Sequence, residues 1–159
     1  MRNPNFWDDK KMRILIATDG SEYSKAAIEQ CCRMVIDSDN ADVLIVSSFE
    51  DAYPIMAEPV AMSGDYYQKL EDAVRELAEG FVADAEKMVR DKFPEAKFSI
   101  KTEVLRGPPD QRVLEKAKEW KADLIVVGSH GRGFWGRLLG SVSNGIVHHA
   151  PCSVLVVRK

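Results

Sequence analysis

Apolar residues in this chain recur in two rhythms that take turns. Short, nearly unbroken apolar runs at 12–18, 42–49, 124–128 and 153–157 are what strands buried on both faces require. Between them, apolar residues return every three or four positions, the period of a helix with one buried face. Ala27, Cys31, Met34 and Val35 follow the turn Asp19-Gly20-Ser21, which carries residues suited to capping a helix N-terminus. Leu70, Val74, Leu77, Phe81, Ala85 and Met88 predict a long helix over 66–92 that Pro94 ends. Val113, Leu114, Ala117 and Trp120 follow Gly107-Pro108-Pro109-Asp110, with proline in the first turn where it is tolerated. Val142, Ile146 and His149 share one side of a segment at 141–150 that Pro151 closes. A fifth strand shows a different pattern: Phe98, Ile100, Thr102 and Val104 alternate with Ser99, Lys101 and Glu103, as on a half-exposed strand at a sheet edge. Residues 52–65, with Pro54 and Pro59, have no period and are expected to form a loop over one edge. Strand and helix thus alternate from end to end. That order predicts an α/β fold with a single doubly wound, five-stranded parallel sheet and helices on both faces.

Candidate chemistry gathers behind the apolar run at 124–128. Gly128, Gly131, Gly133, Gly136 and Gly140 fall within thirteen residues, and Ser141 then opens a helix. Strand, glycine loop and helix N-terminus together can hold phosphate: glycine reaches positive φ and lets backbone approach an anion, while the first-turn N–H groups point at it. The GxxxxGK[ST] phosphate loop is absent. Gly131-x-Gly133-x-x-Gly136 fits the dinucleotide spacing but begins three residues past the strand end, so it is a weak signal. Asp19 ends the first strand and reads either as a turn or capping carboxylate or as a pocket residue. Arg132 and Arg137 are candidates for phosphate contact or for a solvated surface. His130 has no nucleophile or carboxylate pair beside it in the pattern and is read as a turn or phosphate-contact residue rather than a base. His148 and His149 suit the negative end of a helix. Cys31 and Cys32 are read as packing and helix surface.

Length and charge limit the alternatives. The chain has 159 residues and a formal net charge of -3. That length suits one domain with a core of its own, preceded by a tail at 1–11, so the domain is expected at 12–159. A weakly acidic chain, pI near 5.7, is not drawn wholesale to nucleic acid or to an anionic membrane, so phosphate binding has to be local and the ligand small. Three cysteines make no disulfide framework, and the tail, despite Phe6 and Trp7, has no apolar export core; a cytoplasmic protein is expected. No Cys/His cluster has metal-ligand spacing.

Four stretches resemble a known family. Gly128-Ser129-His130-Gly131-Arg132, Leu139-Gly140-Ser141-Val142-Ser143 and His149-Ala150-Pro151-Cys152-Ser153-Val154-Leu155-Val156-Val157 look, in that order, like the C-terminal signature of the universal stress proteins. Arg13-Ile14-Leu15-Ile16-Ala17-Thr18-Asp19-Gly20-Ser21 resembles that family's opening strand and loop. The resemblance implies the strand order 3-2-1-4-5, which sets the first and fourth strands side by side at a topological switch point. It also implies an ATP-binding regulatory protein, Mg²⁺ arriving with the nucleotide, a homodimer through the last strand, and an as yet unnamed protein partner. Carried over residue by residue, the binding positions are Ala17, Thr18, Asp19, Ser48, Gly128, Ser129, His130, Gly131, Arg132, Gly140, Ser141, Val142 and Ser143. Ser48 stands near where family members often place a valine beside the adenine. One departure is plain. The family's nucleotide-binding pattern places nine residues between its second and third glycines, whereas eight, 132–139, separate Gly131 from Gly140 here. Phosphoryl chemistry depends on positioning, so a binder rather than a useful ATPase is expected. The alternative is a nucleotide-independent dimeric interaction protein of the same fold. Adenylate transfer is the weakest reading, because Asp19-Gly20-Ser21-Glu22 does not match the glycine-serine loop that such enzymes place after their first strand.

Overall fold

The computed structural model describes residues 11–36, 40–50, 64–96, 98–131 and 139–159. Its elements alternate as β1 (Met12–Ala17), α1 (Glu22–Met34), β2 (Ala41–Phe49), α2 (Gly64–Lys92), β3 (Ser99–Arg106), α3 (Pro109–Trp120), β4 (Leu124–Gly128), α4 (Ser141–His149) and β5 (Ser153–Val157). All four strand pairs are parallel, and the sheet runs β3-β2-β1-β4-β5. This is the doubly wound α/β sheet, in the order the family resemblance implied.

Side chains of a strand point alternately to its two faces, so each central strand feeds two cores. Ile14 and Ile16, Val43 and Ile45, Leu124 and Val126 pack under α1 and α2. Leu15 and Ala17, Leu44 and Val46, Ile125 and Val127 pack under α3 and α4. Both faces are covered, which is why β1, β2 and β4 read as unbroken apolar runs. The exposed edge strand β3 keeps its predicted half-buried character.

The helix faces depart from the periodic reading at three places. In α1 the buried residues are Ser24, Ala27, Ile28, Cys31 and Cys32, while Met34 is 74% exposed. The chain folds back after the helix, with the Ile36 N–H bonded to Cys31 O, and Ile36 takes the buried position there. In α2 the centre of the buried stripe is Ala78, Val82, Ala85 and Val89, and Leu77 stands 55% exposed. The pattern of large apolar residues therefore traced one border of the stripe. The alanines in it allow close approach, and a search for bulky side chains passes over them. This helix also begins at Gly64, so residues 64 and 65 belong to it rather than to the expected loop, whose remainder lies outside the described residues. In α4, Ser143 and Ile146 are buried and His149 faces outward, bonded through Nδ1 to Gly145 O at 3.0 Å.

Cys31 and Cys32 are both in the core rather than split between core and surface. Burial pushes their thiols up to about 12 and about 11 respectively. Only a thiolate is nucleophilic, so a protonated, enclosed thiol is inert. Iodoacetamide at about pH 8 is therefore expected to leave both untouched in the folded protein and to modify both once guanidinium unfolds it. Mass spectrometry of the alkylated peptides checks this, and labelling of either residue under native conditions would contradict the packing. Among the described residues, no helix is long and apolar enough to cross a membrane.

Candidate functional site

Adjacent strands whose chains depart to opposite faces leave a gap between the departing loops. β1 and β4 are such a pair: α1 covers one face of the sheet and α4 the other. At their carboxyl ends lies a cavity of about 290 Å³. Ala17, Thr18 and Asp19 enter it from β1, Val127, Gly128, His130 and Gly131 from β4 and the loop behind it, and Gly140 to Ser143 from the start of α4. Val46, Ser47 and Ser48 close it from β2, with Pro109 and Val113 of α3 above.

The two helix N-termini at this cavity are built differently. At α1 the N-terminal backbone donors are partly engaged by side chains. Ser21 caps the helix, its Oγ accepting the Ser24 N–H at 3.2 Å, and Asp19 Oδ1 accepts the Ser21 N–H at 3.0 Å. Thr18 Oγ1 accepts the Gly20 N–H at 3.2 Å and donates to Ser24 Oγ at 3.1 Å. The α1 N-terminus thus holds its own carboxylate. At α4 the cap is Gly140, which brings no side chain, and the first ladder bond runs from the Asn144 N–H to Gly140 O at 2.9 Å. Helix geometry leaves the N–H groups of Ser141, Val142 and Ser143 without intrahelical acceptors, at the positive end of the dipole. Ser141 is accordingly the first helical residue, exposed, and not the cap. Two bonds fasten this end to β4: Gly140 N–H and Ser143 Oγ both donate to Ser129 O at 2.8 Å.

The glycines work through space rather than through φ. Gly128, Gly131 and Gly140 all keep φ outside the left-handed region, which among the described glycines only Gly20 and Gly107 enter. The expectation of positive φ in this loop is therefore corrected at its described glycines. A methyl on Gly128 would lie 2.6 Å from the Tyr23 carbonyl carbon, where β4 ends against the first turn of α1. One on Gly131 would lie 2.8 Å from Asp19 Oδ2. Loss of Cβ brings the two strand-end loops together at these points.

His130 is 8% exposed and lines the cavity. Its Nδ1 lies 3.0 Å from Ser129 Oγ, and its ring centroid is 5.1 Å from that of Tyr23. The apolar share of the lining, Ala17, Val46, Val113, Val127 and Val142, forms a slot next to the polar helix start. A site of this composition suits a ligand with a flat apolar body and an anionic end.

Of the sequence-derived candidates, Ala17, Thr18, Asp19, Ser48, Gly128, His130, Gly131, Gly140, Ser141, Val142 and Ser143 all line the cavity. Ser129 does not; it stands behind the wall and positions α4. Arg132 lies outside the described residues, as do Gly133, Gly136 and Arg137. Ser24, Val46, Ser47, Pro109, Val113 and Val127 line the cavity and were missed. Val46 and Val127 were legible as strand-end residues on the face of Ala17, whereas α3 reaches the site only through the crossover, which no local motif announces.

The geometry defines a doubly wound α/β protein with a ligand cleft at its switch point. The Universal stress protein family profile matches residues 11–158, and the chain belongs to that family. Universal stress protein MJ0531 of Methanocaldococcus jannaschii is 34% identical over 148 residues, 92% of this chain and 82% of that one. Among solved structures, a universal stress protein family protein of Arabidopsis thaliana, At3g01520, with AMP bound, superposes with a TM-score of 0.66 at 16% identity. That match covers 93% of this chain and 92% of the other. A universal stress protein in complex with cAMP superposes with a TM-score of 0.61 at 24% identity over 94% of this chain and 98% of the other. At these identities the two structures speak for the fold.

Gly128→Ala forces a methyl against backbone, so overpacking is expected to cost about 1–3 kcal/mol. Urea unfolding followed by circular dichroism measures the loss; a variant as stable as the parent would show that α1 can retreat from β4 without cost.

Proposed function

We propose that this protein binds an adenine nucleotide in the cleft and acts as a regulatory protein whose bound state biases a partner-facing surface. The observation that carries the reading is the contrast between the two helix starts. An anion is disfavoured at α1, where Asp19 already sits, and favoured at α4, where the first-turn N–H groups face the cavity. Phosphates therefore lie at Gly140 to Ser143 and the base lies in the apolar slot, with Ser47 and Ser48 at its β2 side. Family membership and the nucleotides in the Arabidopsis and cAMP-bound proteins support this. ATP is the first ligand to test. The described part of the cleft brings one carboxylate and several hydroxyls, and among the described residues no group of three His, Cys, Asp or Glu could hold a metal. That donor set fits Mg²⁺ carried mainly by phosphates and water, with Asp19 and Ser141 the nearest protein oxygens to offer. With Asp19 the single carboxylate among the described lining residues and already accepting the Ser21 N–H, binding without useful turnover is the proposed behaviour.

Calorimetry with ATP, ADP and AMP tests the reading. Gly131→Val would drive a branched side chain against Asp19 Oδ2, the end of a side chain rather than backbone, so it is expected to abolish binding while the circular dichroism stays unchanged. Undiminished ATP affinity in Gly131→Val would place the nucleotide elsewhere.

The same proposal includes a homodimer through β5, an edge strand in need of cover. Ser129 N–H donates to Val157 O, so Val157, Leu155 and Ser153 turn their backbone groups to β4, and those of Val154 and Val156 point outward. Sedimentation is expected to give twice the 17.8 kDa chain mass for the parent and one chain mass for Val156→Pro, which removes an outward N–H and leaves the β4 ladder whole. A dimeric Val156→Pro would move the interface off this edge.

A further inference from the structure

The sheet has two ends, and β3 is the one opposite β5. Its inner edge pairs with β2; beyond its outer edge no other strand stands among the described residues. Gly107 N–H donates to Phe49 O at 2.8 Å, so along β3 the backbone groups of Lys101, Glu103 and Leu105 turn to β2, and those of Ile100, Thr102 and Val104 point outward. An edge of unpaired backbone groups is a template for another chain unless its side chains forbid the pairing. We infer that this edge takes the β3 of a second copy of the chain, antiparallel, with Thr102 of each copy on the two-fold axis. The contact is independent of the cleft and of β5.

Backbone geometry and charge select this register together. Antiparallel strands bond only where outward residues of one oppose outward residues of the other, which leaves registers that differ by steps of two. With Thr102 opposite Thr102 of the second copy, Ile100 of each copy faces Val104 of the other, and every outward N–H and C=O from Ile100 to Val104 finds a partner. Lys101 of each copy then faces Glu103 of the other. A step of two in one direction sets Lys101 opposite Lys101, and a step in the other sets Glu103 opposite Glu103; like charges directly opposed destabilise a strand pair, and opposite charges support it. The side chains fit the same register. Ile100 and Val104 pack on the core under α2, so their pairs prolong its border across the axis. Glu103 lies on the other face, where Lys116 of α3 holds it at 2.8 Å. A carboxylate accepts several donors, so an anchored Glu103 can also take the exposed Lys101 of the second copy. Charges that turn away other strands thus admit this one.

The contact is narrow, and its ion pairs are screened by water and salt, so its dissociation constant is on the order of 100 µM. At about 10 µM only β5 then holds copies together. Two self-complementary interfaces on opposite edges of one sheet do not close into a ring by themselves, so concentrated protein is expected to join dimers end to end through β3.

Sedimentation equilibrium at low salt, from about 10 to about 500 µM, makes the test. The samples are the parent, Lys101→Glu, Glu103→Lys, and the two variants mixed in equal amounts. Each variant alone opposes like charges in the inferred register, carboxylates in the first and ammonium groups in the second, whereas a mixed pair opposes carboxylate and ammonium at both places. The parent mass is expected to climb above its dilute value, each variant alone to associate at least about tenfold more weakly, and the mixture to regain the climb. A parent that does not climb, single variants that climb as the parent does, or a mixture that stays flat would each overturn the inference. Thr102→Pro covers a misfolded charge variant: it removes the N–H on the axis and leaves the ladder to β2 whole, so it too should keep its dilute mass, and a climb equal to the parent's would be fatal to the register. The β5 dimer is tested apart. Val156→Pro lowers the dilute mass to one chain and leaves the climb in place; if its mass stays at one chain at every concentration, β3 takes no second copy and the inference falls while the β5 dimer stands.

Discussion

The cleft depends on how β1 and β4 are joined. Only three residue pairs register the two strands: Ile14 with Leu124, Leu15 with Ile125 and Ile16 with Val126. At the amino end the pair is stapled. Asp123 Oδ2 accepts the Arg13 N–H at 2.9 Å, the Asp123 N–H donates to Arg13 O at 2.8 Å, and Arg13 Nη1 reaches Trp120 O at 3.2 Å. At the carboxyl end the chains depart to opposite faces. A parallel pair pinned below and parted above has to open at its top, and burial of both sheet faces keeps it from closing by sliding.

What then occupies the opening is decided by two helix starts of unequal completeness. Both have the positive end of a dipole. Capping at α1 by Ser21 and Asp19 satisfies two donors and sets a carboxylate against the positive end, so that end serves the fold. Capping at α4 by Gly140 does neither. A protein that needed both helices only as scaffold would gain by placing Ser, Asp or Asn at residue 140, a change typically worth up to a few tenths of a kcal/mol over glycine. The bare cap leaves the first-turn donors of α4 for another acceptor.

Much of this was legible beforehand, for identifiable reasons. Strand runs buried on both faces have a strong signal, and all five strands were found close to their observed limits. The glycine-serine words and the Asp19 loop converge on one cavity as the resemblance implied. The helix faces were less legible because stripes were drawn through bulky residues: Met34 and Leu77 turned out to face water, while Ala78 and Ala85 sit in the core. Small side chains at a tight contact resemble filler in a one-dimensional pattern. The role of the glycines was misjudged for a related reason. Sequence shows that a Cβ is absent, not whether φ or proximity requires it, and at Gly128 and Gly131 the requirement is a neighbour, Tyr23 in one case and Asp19 in the other. Pro109 and Val113 reach the cleft by a crossover, a relation between distant segments that local pattern does not contain.

The eight-residue spacing between Gly131 and Gly140 poses a sharper question of what positions α4. If the loop placed the helix, one residue fewer would shift its first turn. The bonds say that the strand places it: Ser129 O, one residue past β4, accepts from both Gly140 N–H and Ser143 Oγ, and Ser129 N–H is itself fixed to Val157 O of β5. Three elements therefore meet at a single residue, and the start of α4 is referenced to the sheet rather than to the length of chain that leads to it. Closing a flexible loop depends only weakly on the number of residues, so a chain that keeps Gly128-Ser129 and Gly140-Ser141-Val142-Ser143 can vary what lies between them and still present the same donors. The short words carry the site, and the spacing between them matters less than a fixed pattern suggests.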